Sequence, residues 1–168
     1  GRWTLKNPWH PLFLRDLNTV YPDAQLVMNH RDPVDVMGSA CSLIRQVRNG
    51  YTDHVDNEIV AETLLETFDT MIERTLEHKA AYGEDSIYDL HYGVLMSDPI
   101  AEMKKLYSHF DEPFTADAES AMLAFLARNP KGKHGSHKYS LEEFGLTKAR
   151  VREHFRDYCE RFDIPCNA

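Results

Sequence analysis

The stretch from Gln25 to Ser39 constrains the fold of this chain more than any other. Gln25 to Met28 is a short apolar run of the kind that forms a strand buried on both faces. The chain then turns at Asn29-His30-Arg31 and enters a helix with Asp32 as N-cap and Pro33 at the first helical position. Strand end, short turn and helix start together form the place where an α/β fold presents an anion site. Free backbone N–H groups and the positive helix end face the crevice at the strand's carboxyl end. Arg31 stands at its mouth with a planar, permanently charged fork suited to phosphate oxygens. Ser39 follows the cap by seven residues, which puts its hydroxyl on much the same helix face as Asp32. The plain structural alternative is that Arg31 pairs with Asp32 or Asp35 and that Ser39 is a small packing residue.

The flanking sequence extends the same pattern. Trp3-Thr4-Leu5 predicts a short strand that ends at the proline-rich turn Lys6 to Pro11, and apolar residues from Leu12 to Val20 recur at helical spacing before Tyr21-Pro22-Asp23. After the Asp32-capped helix, with a stripe of Val36, Met37, Ala40, Ile44 and Val47, a long helix is expected from about 57 to 82, closed by Gly83. Ser86 to Tyr92 predicts a third strand. Asp98-Pro99 and Thr115 start two further helices, Ser140 with Glu143 has the form of a capping box, and a last helix runs from Thr147 to about Phe162. Strands separated by helices give an α/β fold: a short parallel sheet flanked by helices, with a helix-rich C-terminal half. At 168 residues, with no repeats and no domain boundary, residues 1–168 are expected to form a single domain.

A net charge of −8 argues against a general nucleic-acid binder, and no apolar run reaches membrane-spanning length. Three cysteines, at 41, 159 and 166, lack metal-type spacing and are expected as reduced thiols of a cytoplasmic protein. Charge is uneven, however. Asp53 to Glu77 carries eight acids against one arginine, the pattern of a solvated helix face. Arg128 to Lys138 carries four Lys/Arg, two His and no acid. Within it, Lys131-Gly132-Lys133-His134-Gly135-Ser136-His137-Lys138 joins glycine freedom to clustered cations, suiting a flap laid over a phosphate. A zinc site on His134 and His137 lacks a nearby cysteine or third ligand.

Four motifs, in order and at matching spacing, resemble the sulfotransferases that use 3′-phosphoadenosine 5′-phosphosulfate. They are Leu5-Lys6-Asn7-Pro8-Trp9-His10, Tyr21-Pro22-Asp23-Ala24 leading to His30-Arg31-Asp32-Pro33 and Ser39, His91-Tyr92 to Asp98-Pro99, and Asn129 to Ser140 followed by Phe144-Gly145-Leu146. The resemblance runs nearly end to end and implies a partial three-layer P-loop-type fold. It implies that Arg31 and Ser39 hold the donor's 3′-phosphate and that Lys131, Gly132 and Lys133 close over it. Lys6 would then be the cation that neutralises charge on the bridging oxygen, against the ordinary fate of an exposed strand-end lysine. His10 would take the acceptor's proton, or else merely cap the next helix. The implied acceptor is a small-molecule, carbohydrate or lipid hydroxyl, and no metal is implied.

One departure limits the resemblance. Such enzymes carry a glycine-rich loop of the Gly-x-x-Arg-x-Gly-Thr-Thr type for the donor's 5′-phosphosulfate, and nothing from Gly1 to Ala168 matches it. The chain, which opens without methionine, is therefore expected to be the C-terminal portion of a longer domain. Its own 168 residues are expected to bind nucleotide weakly and to turn over no substrate. The uncovered side of the sheet is expected to support self-association. The competing readings are an inactive interaction module and a P-loop kinase relative, although no Mg²⁺-binding acid pattern stands out.

Overall fold

The computed structural model describes residues 3–130 and 139–165. Residues 3–8 have no regular structure, against the strand expected at Trp3–Leu5. An extended segment needs a ladder partner to become a strand, and none faces it among the described residues; Trp3 is 86% exposed. The Asn7 side chain instead accepts from the Trp9 N–H at 2.9 Å, turning the chain into a 3₁₀ segment, His10–Phe13, and then helix α1 (Leu14–Val20).

Strand β1 (Leu26–His30) leads into α2 (Pro33–Asn49) and α3 (Asn57–Tyr82) before the chain returns as β2 (Ile87–His91). The strands pair in parallel, Leu26 beside Ile87 and His30 beside His91. The sheet thus has two described strands rather than three. Only one face of β1 is covered, since Val27 and Asn29 are exposed while His30 is buried. The apolar run had implied burial on both faces, but helices cover a single side. Beyond β2 come α4 (Tyr92–Ser97), which the sequence had not implied, then α5 (Pro99–His109) and α6 (Ala116–Arg128).

The caps at Asp32, Asp98 and Thr115 form where the sequence placed them, and Thr147 adds a further one. Asp32 accepts from the Val34 N–H at 2.8 Å, Asp98 from Ala101 at 3.0 Å, Thr115 from Ala118 at 3.1 Å and Thr147 from Arg150 at 3.1 Å. The capping box at Ser140 does not form. Ser140 donates to Glu142, while Glu143 is drawn away to Arg45 on α2 at 2.6 Å. The cause is a single 3₁₀ turn, Glu142–Phe144, whose Phe144 and flanking Leu141 and Leu146 are all driven into the core.

That core lies between α2, α3 and the C-terminal segment, not between helices and sheet. Met37 and Cys41 meet Val60, Ala61, Leu64 and Leu65, and Leu141 to Phe155 closes the cluster. Val47, expected on the buried stripe of α2, stays half exposed at the last turn. The helix expected over 147–162 breaks at Phe155 into α7 (Lys148–His154) and α8 (Arg156–Arg161). Phe155 belongs to the main core, whereas Cys159, Phe162 and Ile164 form a second cluster, so the break lets one segment serve both. Cys41 is a buried free thiol, pushed up to about 11 by burial. Cys159 is disulfide-bonded, which corrects the expectation of reduced thiols throughout; Cys166 lies outside the described residues. Among the described residues no helix is long and apolar enough to cross a membrane.

Candidate functional site

The carboxyl ends of β1 and β2 open into a cleft of about 1020 Å³. Parallel strands lose their ladder partners there, and the following turns diverge, so a crevice at this end is the expected consequence of the topology. Its floor is the pair His30 and His91, with ring centroids 5.5 Å apart. Arg31, Asp32 and Asp35 line it from the β1–α2 turn, Tyr92 to Val94 from α4, and Arg152, Glu153, Arg156 and Glu160 from α7 and α8.

Arg31 occupies the mouth of the site anticipated from the sequence. Its guanidinium lies over the Tyr92 ring, 4.8 Å from the centroid, and donates to Asp35 at 3.0 Å. The plain alternative of an Arg31–Asp35 pair is therefore realised, but it does not exhaust the side chain. Its Nε–H is shielded from water and has no acceptor. A buried donor without a partner is a costly state.

Ser39 is exposed on α2, one helical turn beyond Asp35, and does not line the cleft. What links the two positions is Tyr139, whose role no local pattern around it in the sequence signals. Its ring presses on Gly38 so closely that a Cβ there would sit 2.3 Å from two ring carbons. Its hydroxyl donates to the Asp35 carbonyl at 3.2 Å. Burial pushes the Tyr139 phenol up, Asp35 adds to this, and Arg31 partly offsets it. Residue 139 is thereby pinned on the first turns of α2, between Arg31's partner and Ser39. Lys131, Gly132 and Lys133, together with His134 and His137, lie outside the described residues. The signal in the sequence was a glycine immediately before Ser39 on an otherwise good helix.

Lys6 and His10 are not brought to this cleft. Lys6 is exposed in the irregular N-terminal segment, and His10 is half-buried at the start of the 3₁₀ turn, which packs against α3.

Behind the cleft runs a buried polar chain that the sequence did not announce. Lys79, 2% exposed, spends its three ammonium protons on the Glu84 carbonyl (2.7 Å), the Ile87 carbonyl (3.1 Å) and the Asp89 carboxylate (2.9 Å). Asp89 also contacts His30 Nε2 at 2.9 Å, and His30 Nδ1 contacts the Tyr158 hydroxyl at 2.9 Å. Burial works to raise the Asp89 carboxyl, but hydrogen bonds from His30 and Lys79 outweigh it and hold the group below its ordinary value. His30 thus bridges the Asp89 carboxylate and the Tyr158 hydroxyl through its two ring nitrogens. Burial and the Asp89 charge keep the Tyr158 phenol protonated. With Phe162 stacked on His30 at 4.4 Å, the chain ties α3, β2, β1 and α8 together directly beneath Arg31.

A profile of the sulfotransferase family matches residues 1–116. The chain belongs to the sulfotransferase family. Its fold is close to two solved mycobacterial sulfotransferases. It superposes on STF9 of Mycobacterium avium with a TM-score of 0.86 at 32% identity, covering 98% of this chain and 42% of that one. STF1 of Mycobacterium tuberculosis follows with a TM-score of 0.77 at 31% identity, covering 93% and 40% respectively. In sequence the chain is 24% identical over 164 residues to the omega-hydroxy-beta-dihydromenaquinone-9 sulfotransferase Stf3 of Mycobacterium bovis. It spans 40% of that relative's length. This sulfotransferase-family chain thus has the mixed α/β, P-loop-type architecture of its neighbours, with the Arg31 turn at a strand end and the pinned Tyr139 on one helix start.

Proposed function

We propose that this chain contributes the 3′-phosphate half of a donor site for 3′-phosphoadenosine 5′-phosphosulfate, in a protein that transfers the sulfuryl group to an acceptor hydroxyl. The observation that carries the reading is Arg31, a guanidinium at a strand end and helix start, with a shielded Nε–H that lacks an acceptor. Ser39 supplies a hydroxyl farther along the same helix. Lys131, Gly132 and Lys133 belong to a basic segment that leads into Tyr139, and Tyr139 is held on that helix. A local cradle of this kind suits a polyanion even in a chain of net charge −8.

In the transfer, the bond between sulfur and the bridging phosphate oxygen breaks while one forms to the acceptor oxygen, whose proton passes to a base. Charge grows on the bridging oxygen, so a nearby cation lowers the barrier. Lys6 is the proposed cation and His10 the proposed base. Both stand on the family motif alone, because neither lines the Arg31 cleft. That same separation favours a second reading, a chain that keeps the nucleotide site without the chemistry.

Binding separates the readings from the alternatives. Adenosine 3′,5′-bisphosphate is titrated by calorimetry against adenosine 5′-monophosphate, with the wild type and Arg31→Ala. Loss of a charge-assisted contact lowers bisphosphate affinity by about 10- to 100-fold and abolishes the preference for the 3′-phosphate. Equal binding of both nucleotides by the wild type would refute the donor reading. Turnover is then measured in a protein that also carries a glycine-rich phosphate loop. Loss of turnover in Lys6→Ala and His10→Ala with nucleotide affinity retained supports the enzyme, and an inert wild type that still binds supports the second reading.

A further inference from the structure

Arg152, on α7, is a cation of the cleft that the donor reading leaves unused. It is half-buried, and it makes no ion pair or hydrogen bond among the described residues. The buried side-chain polar atoms without a partner among the described residues are three: Arg31 Nε, Arg152 Nε and Ser86 Oγ. Two of the three therefore belong to arginines that line one cleft, supplied by different elements, the β1–α2 turn and α7.

We propose that Arg152 is an oxyanion-binding residue, and that the cleft takes phosphate or sulfate oxygens on Arg152 as well as on Arg31. A guanidinium is always charged and presents its donors in a fixed fork matched to such oxygens. The neighbouring charges leave it available. Asp35 is engaged by Arg31 at 3.0 Å, Glu153 by Arg156 at 2.9 Å, and Asp32 caps its own helix. Glu160 and Asp163 remain as the acids an anion must tolerate, which disfavours a weakly held monovalent ion and favours a multiply charged ligand. At about 1020 Å³ the cleft admits a nucleotide rather than a bare ion alone. The shared chemistry is the oxyanion, whether a nucleotide carries it or it is free. The inference rests on the donor reading only for the first of these sources.

The test watches the donors themselves. The full 168-residue chain is labelled with ¹⁵N-arginine, and the Arg31 and Arg152 Nε–H signals are assigned with Arg31→Lys and Arg152→Lys, or Arg152→Gln where the lysine variant does not fold. Inorganic sulfate and adenosine 3′,5′-bisphosphate are titrated separately. The expected result is a saturable downfield movement of the Arg152 signal with the bisphosphate, and about tenfold weaker binding in Arg152→Lys, in line with loss of a charge-assisted hydrogen bond. Movement of Arg31 alone overturns the inference and leaves the donor reading standing. Movement of Arg152 with sulfate but not with the bisphosphate upholds the inference for a free oxyanion and removes the nucleotide. A stationary Arg152 signal with both probes overturns it outright.

Discussion

Gly38 has no room for a side chain. A methyl group there meets the Tyr139 ring at 2.3 Å, and the ring must leave the helix to accommodate it. Gly38→Ala should therefore destabilise the chain by about 1–3 kcal/mol despite the higher helix propensity of alanine. Urea unfolding measures the loss, and bisphosphate affinity should fall with it because residue 139 no longer docks on α2. Lys79 makes the opposite point, a charge buried by design. Removing it strands Asp89 and two carbonyls, so Lys79→Met should cost about 3 kcal/mol in the same assay. Titration at two positions sets the response to acid. His78, buried beside Tyr82, is held below its ordinary 6.5 by burial first and by Lys79 second. Asp89 lies below its ordinary 3.8 because its hydrogen bonds outweigh burial. In each case the unfolded chain takes up the proton first as pH falls. Stability is then full above pH 6.5, declines as His78 protonates in the unfolded state, and drops again below 3.8. Thermal unfolding from pH 8 to pH 3 checks both steps, and His78→Gln should remove the upper one.

Helix starts in this chain are local matters. Asp32, Asp98, Thr115 and Thr147 each satisfy an N–H two or three residues on, and the first three were legible because a cap needs only its own first turn. Asp32→Ala should lower stability by about 1 kcal/mol by chemical denaturation, and it loosens the turn that carries Arg31. What surrounds an element is a different question. The turn Glu142–Phe144 looks like a surface cap from its residues, yet it plugs the space between α2 and α3, with Phe144 1% exposed. Phe144→Ala should cost about 3–5 kcal/mol, a core-sized loss from a segment that sequence periodicity marks as a loop. Likewise nothing in Thr147 to Phe162 signals a break, because Phe155 ends α7 for the sake of two distant clusters.

Across the whole molecule, apolar residues at the amino-terminal side remain in solvent: Trp3, Leu5, Phe13, Val20 and Val27 are all exposed. Large apolar side chains left in solvent favour association, so light scattering should show a mass that rises with concentration, and Val27→Lys together with Phe13→Glu should shift it toward the monomer. Sequence by itself determined the elements whose causes lie within a turn or two: the β1–α2 junction with Arg31 at its mouth, the caps at Asp32, Asp98 and Thr115, the long 57–82 helix and the parallel crossover. It also carried a resemblance to the family whose profile matches residues 1–116. Only the tertiary structure decided that Trp3–Leu5 is no strand, that the core lies among α2, α3 and the C-terminal segment, and that Lys6 and His10 stand apart from the Arg31 cleft. It alone joined Lys79, Asp89, His30 and Tyr158, residues separated by up to 128 positions between hydrogen-bonded neighbours. The reason is physical: propensity and capping act over a few residues, whereas burial and buried hydrogen bonding are settled by whichever distant segments come to lie together.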